Sequence, residues 1–403
     1  LRVQHVEATL DFGATSGDLS FDEDTYDFHA QITPPGAATP TTVASFTQKV
    51  VQGTDYLFVL AEVSGAVQPL ILATPTMTDT SQTQVAAVHA APTIPSMDLY
   101  FVAPGADPAS ATPLGSLAFS GTLAPAGLAP GDYQLVLTDA GDPSMLDFRS
   151  QTMTLAAGAA NDFVITEGDG EGLVPFSVVV SGPNGGILLD QNTPAGLEVV
   201  NAAADGAPRD LYLDGDYTAP VVSGLASPGV SPPLKIAPGD HTLDVTPAGN
   251  PGVVEIQQAF TAVQGGWQTG LIGGDPGSLA AVGVQDNRRP IAGEALIRFM
   301  DAATLFATGV NVYLAAPGTD TTTILPVVTL TTPGLSQRGA FAPGDYELSL
   351  RDASGNVIPF SDENGNLVAE PQPVSLPEGL FTVLITNGTA SGTARIVLLQ
   401  GFQ

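Results

Sequence analysis

LAFSGTLAPAGLAPGDYQL, residues 117–135, decides the fold because the chain repeats its pattern four times. The other copies are LDFGATSGDLSFDEDTYDF from Leu10, LASPGVSPPLKIAPGDHTL from Leu225 and LTTPGLSQRGAFAPGDYEL from Leu330. In every copy sixteen residues separate the first Leu from Tyr26, Tyr133, His241 or Tyr346, and these anchors follow one another at intervals of 107, 108 and 105 residues. A fixed period of self-similarity marks a chain built from repeated units. Each anchor opens an alternating run, such as Tyr133-Gln134-Leu135-Val136-Leu137 or Tyr346-Glu347-Leu348-Ser349-Leu350. That alternation predicts a half-buried antiparallel strand. The preceding Ala-Pro-Gly-Asp is turn chemistry: Pro presets φ and Gly accepts positive φ. The first copy has Asp22-Glu23-Asp24-Thr25 there, so its local geometry is expected to differ.

Matching strands surround the anchors. Upstream lie VAAVHAAPTIPSMDLYF (85–101), LEVVNAAADGAPRDLYLDG (197–215) and ALIRFMDAATLFATGVNVYL (295–314), each a strand, a bend of small residues and a second strand. Downstream, two strands joined at Gly fall in 46–60, 153–166, 256–272 and 374–386, and a last strand in 67–73, 174–180, 278–284 and 394–400. About seven short strands per hundred residues, with frequent turns, is an immunoglobulin-like pattern. The expected fold is all-β, with four tandem immunoglobulin-like β-sandwich domains. Polar connectors place them at 1–80 (an incomplete first sandwich), 81–192, 193–290 and 291–403, and their shortness predicts a semi-rigid rod.

VHAAPTIPSMDLYF and VNAAADGAPRDLYLDG, each followed by an A-P-G-D-[YH]-x-L turn, resemble the bacterial repeats of the domain of unknown function 4397 family. The resemblance is good in the second and third repeats, fair in the fourth and partial in the first. It implies exported, surface-anchored or secreted β-sandwich modules in tandem. The family assigns no catalytic residues, so none is carried over.

Composition narrows the function classes. Eleven Lys and Arg against 41 Asp and Glu give a net charge of −30, which repels nucleic acid and anionic membranes. There are no cysteines, which excludes disulfides, thiolate catalysis and Cys-ligated metals. Gly (45) and Pro (34) interrupt every apolar run, so no membrane span is expected. An acidic, cysteine-free chain of this kind reads as extracellular or cell-surface, and as bacterial through the resemblance.

Candidate chemistry is sparse. His5, His29, His89 and His241 fall on different elements, and His89 holds the position of Asn201 in the next repeat, so they read as structural. No nucleophile elbow, phosphate loop or dinucleotide fingerprint is present. The reading is non-enzymatic, with no cofactor beyond possible calcium. DENGN (362–366) and GDGEG (168–172) set Asp362, Asn364, Asp169 and Glu171 on tight turns as calcium candidates, against the plainer reading of acidic hairpin turns. Trp267, the one Trp, reads as core or interface rather than as a sugar platform.

Only nine residues precede Leu10, where later repeats carry two strands, so the first sandwich is expected to expose an unpaired edge. Bare edges template pairing. A strand from a neighbouring copy, or from a segment upstream of Leu1, would complete it, and head-to-tail donation would build a filament. The main expectation is therefore a self-associating surface or matrix protein. The alternative is an adhesion or binding module for glycan or calcium.

Overall fold

The computed structural model describes residues 10–33, 35, 39–168, 172–306 and 308–400. The chain is all-β. Among the described residues the helical elements are two single turns, Pro108–Ser110 and Thr304–Phe306. Among the described residues no helix is long and apolar enough to cross a membrane. The chain divides near Thr193–Pro194 into two compact units.

Each of the last three repeats forms two sheets around one core. An anchor strand (Gly131–Asp139, Gly239–Pro247 or Gly344–Asp352) lies between a second strand (Met97–Val102, Arg209–Leu213 or Val310–Ala315) and a partner strand (Met153–Leu155, Ile256–Ala262 or Gln372–Leu376). In the facing sheet an opening strand (Thr83–His89, Ala195–Asn201 or Ala295–Asp301) pairs with a penultimate strand (Ala160–Glu167, Trp267–Gly273 or Gly379–Asn387). The penultimate strand then pairs with a last strand (Phe176–Ser181, Ala280–Asp286 or Ala394–Gln400). Side chains from both sheets merge into one core: in the third repeat Leu197 and Val199 meet Leu211, Leu243, Val245 and Ile272. Each such Leu or Val contributes roughly 1.5–3 kcal/mol on leaving water.

The first repeat has the same second half. Its anchor strand, Asp24–Ile32, pairs with Thr41–Val50, and its penultimate strand, Thr54–Val63, pairs with Ala66–Pro75. Register is kept across all four copies: Tyr26 faces Gln48, Tyr133 faces Met153, His241 faces Phe260 and Tyr346 faces Val374.

Two features depart from the sequence expectation. First, opening and penultimate strands pair in parallel. Sheets with parallel pairs tend to be covered on both faces, and here the outer face is covered by the neighbouring repeat of the same unit. In the first unit Leu57, Val59, Ala61 and Leu70 pack on Val88, Ala90, Val164 and Val179. In the second, Val200, Ala202 and Leu271 pack on Met300, Ala302 and Leu384. Repeats within a unit are therefore packed sheet to sheet, not merely strung on connectors. The approach is close: a Cβ on Gly273 would lie 2.9 Å from Pro333 Cβ and 3.4 Å from Ala302 Cβ. Second, the anchor strands of the last three repeats are not half-buried in the middle, whereas Asp24–Ile32 keeps the expected alternation. Gln134, Leu135, Val136, Leu137 and Thr138 are all buried, because the loop after the second strand folds over the outer face.

Candidate functional site

The four anchors share one local structure, which requires a donor at the third residue of a nine-residue strand. Tyr133 Oη donates to Ala129 O at 2.9 Å, Tyr346 Oη to Ala342 O at 2.6 Å and Tyr26 Oη to Asp22 O at 3.0 Å. His241 reproduces the bond with Nε2 on Ala237 O at 2.8 Å. Its other ring nitrogen lies 2.8 Å from Asp214 Oδ2, and that carboxylate raises the imidazole pKa. Each is a tyrosine-corner arrangement, tying the strand to the turn four residues back. Asp22-Glu23-Asp24-Thr25 therefore makes the same tie as Ala-Pro-Gly-Asp.

The polar residues ending the opening strands also have one job. His89 Nδ1, Asn201 Oδ1 and Asp301 Oδ1 accept the N–H two residues on, from Ala91, Ala203 and Ala303. They cap the bend; burial lowers the His89 pKa and raises that of Asp301 to about 6.

Of the calcium candidates, Asp169 and Glu171 lie outside the described residues. Asp362 spends Oδ1 on the N–H groups of Asn364 and Asn366 and Oδ2 on Asn366 Nδ2. The segment DASGN (352–356) repeats these bonds around Asp352. Such a carboxylate closes a turn, and the Asn364 contact is a backbone one. Among the described residues no three His, Asp or Glu side chains converge as a metal site would require. Trp267 lies against Gly196, with the Arg288 guanidinium 4.4 Å from its ring centre, as a packing residue.

The region that stands apart is the first repeat. The described residues give its anchor strand no equivalent of the second strand, and its penultimate strand no equivalent of the opening strand. Between its hairpins three rings make the interior: Phe28 and Phe58 are 4.6 Å apart, Phe46 and Phe58 5.0 Å, and Phe28 and Phe46 5.3 Å. None is fully buried, whereas Leu135 and Leu137 at matching depth in the second repeat are. Leu60 and Ile32 are 46% and 51% exposed. Among the described residues the site thus combines two strand edges without a further partner strand and a half-covered aromatic face. The Phe triad was not legible in the sequence, since its members are scattered over three strands.

A family model described as Domain of unknown function (DUF4397) matches residues 195–313. No curated protein matches the chain. Among solved structures the chain is similar to the Bacillus anthracis TIE protein at 12% identity and TM-score 0.19, covering 84% of this chain and 57% of that one. It thus spans little more than half of that protein's length. It is also similar to CBMbc, a family CBM26 module of Eubacterium rectale Amy13K crystallised with maltoheptaose (9% identity, TM-score 0.18, 52% of this chain and 98% of that one). A third is BcpA, the major pilin subunit of Bacillus cereus (10% identity, TM-score 0.16, 77% and 100%). The matched stretch begins at the opening strand of the third sandwich and ends on Tyr313 in the second strand of the fourth, and over those residues the chain is similar to the DUF4397 family.

Proposed function

We propose that this is a non-enzymatic structural protein of a bacterial surface or extracellular matrix. Its sandwiches act as spacers, and its first repeat is the point of self-assembly. The carrying observation is that the edges at Asp24–Ile32 and Thr54–Val63 have no second partner strand among the described residues, beside the half-buried Phe28–Phe46–Phe58 face. In the other three repeats these edges hold the second strand in antiparallel fashion and the opening strand in parallel. A strand from a neighbouring copy, laid in either place, would gain main-chain hydrogen bonds and cover the rings. A strand donated from another part of the neighbouring copy makes the contact heterologous, and such a contact propagates into a filament.

Native mass measurement with electron microscopy of the purified chain tests this. Concentration-dependent oligomers or filaments are expected, and Phe58→Arg should abolish them while leaving the other sandwiches folded. A strictly monomeric, folded protein over the whole concentration range would overturn the assembly role and leave the spacer role alone.

A further inference from the structure

The apolar layer that joins the third and fourth sandwiches contains a cluster of charge, and its donors outnumber its acceptors. Arg298 and Thr382 stand side by side in the parallel register of the fourth sandwich, and both are fully buried. They alternate with the core residues Ile297, Phe299, Phe381 and Val383, so they point away from that core and into the layer. Met300 and Leu384, two residues further along the same faces, pack on Val200 and Leu271 of the third sandwich. A guanidinium can only donate. Arg298 pairs with Asp286 through Nη2, but its Nε and Nη1 have no hydrogen-bond partner among the described residues, and neither has Thr382 Oγ1.

The carboxylates of the layer are already engaged. Asp286 accepts from Arg338 Nε at 2.8 Å, from Arg338 Nη2 at 3.2 Å and from Thr269 Oγ1 at 2.9 Å. Glu198 accepts from Arg288 Nη2 at 2.6 Å. The third sandwich shows what the fourth lacks. Thr269 is the counterpart of Thr382: each faces the middle residue of its opening strand, Glu198 or Arg298. Thr269 finds its acceptor in Asp286, the final residue of its sandwich's last strand. The corresponding strand of the fourth sandwich, Ala394–Gln400, carries no carboxylate.

A buried charged donor without an acceptor is costly, and an anion brought into the layer removes that cost. Burial lowers the Arg298 pKa to about 10, so the guanidinium remains cationic at neutral pH and favours an anion over water. The two closely packed sheets leave the place of one carboxylate, which calls for a compact ion. We propose that the layer encloses one halide-sized monovalent anion, which accepts from an Arg298 N–H and from the Thr382 hydroxyl. It does for Thr382 what Asp286 does for Thr269. The ion enters as the two sandwiches pack and fastens them to each other. This goes beyond the assembly reading and does not depend on it.

The test follows thermal unfolding of the full chain at fixed pH and ionic strength while gluconate is exchanged for chloride or bromide. A saturable rise in melting temperature is expected in the second unit alone, roughly 3 °C at tenfold excess over Kd. Thr382→Val keeps the side-chain shape and should weaken chloride binding about tenfold or more in a folded chain. Asp286→Leu with Arg298→Met and Arg338→Met should abolish the chloride dependence. Crystals soaked in bromide should show an anomalous peak beside Arg298 and Thr382. A melting temperature indifferent to the exchange, or a rise of the same size in both variants, would overturn the proposal. So would an anomalous map without bromide at that place, the outcome expected if water alone meets these donors.

Discussion

The phenol of Tyr346 and its counterparts each make one bond to a carbonyl four residues back, and that bond sets the angle at which a nine-residue strand enters its sheet. Such a bond is worth about 1 kcal/mol net. Tyr346→Phe keeps the ring and its edge contact with Phe341 but loses the bond. Urea unfolding followed by a probe in the fourth sandwich should report a loss of about 1 kcal/mol; a change below about 0.3 kcal/mol would mean the corner is ornamental. The anchors were legible in the sequence because their interval from the first Leu never varies. Their partner was not, since the accepting atom is a backbone carbonyl and leaves no side-chain signature. His241 makes this plain: it satisfies the same geometry with a different residue.

At the scale of the strand, outer-face polar residues become the informative ones. Glu198 and Arg298 interrupt otherwise apolar opening strands, and in a sandwich standing alone they would face water. Instead they lie within the packed pair of sheets in the second unit. Asp286 is ion-paired with fully buried Arg298 and with Arg338 at 2.8 Å, while Arg288 sits 2.6 Å from Glu198. Those arginines hold the Asp286 carboxyl below its ordinary range. Asp286→Ala strands buried guanidinium charge and should cost about 3–5 kcal/mol, whereas the joint change Asp286→Leu with Arg298→Met and Arg338→Met removes the charge on both sides and should recover much of it. Thermal unfolding of the two variants checks this; equal losses would deny that the cost is uncompensated charge. The opening strands themselves were recognisable as strands. Their parallel pairing was not, because a continuous apolar run announces two-sided burial without naming the layer that provides it.

At the scale of the molecule, Asp162, Glu198 and Asp301 bind protons more tightly folded than unfolded. Burial pushes Asp162 and Asp301 up to about 6, and Glu198 up to about 7 despite Arg288. Such groups add stability below their unfolded values, near 4, and lose it as pH rises through 6 to 7. Relief of the −30 net charge in acid acts in the same direction. The melting temperature at fixed ionic strength should therefore be higher near pH 5 than near pH 8, and the opposite order would mean that these carboxylates are ionised without penalty. The sequence shows its self-similarity at the four anchors. It did not reveal that the repeats pack in pairs within each unit, since that depends on small and apolar residues of the outer faces meeting across a layer.

Amide hydrogen exchange of Asp24–Ile32 and Thr54–Val63 against protein concentration tests most directly whether the first sandwich is closed by another copy. Protection at both edges that rises with concentration and vanishes on dilution, while Gly131–Asp139 stays protected throughout, is the predicted result. Edge protection independent of concentration, or exchange that stays fast at every concentration, would contradict it.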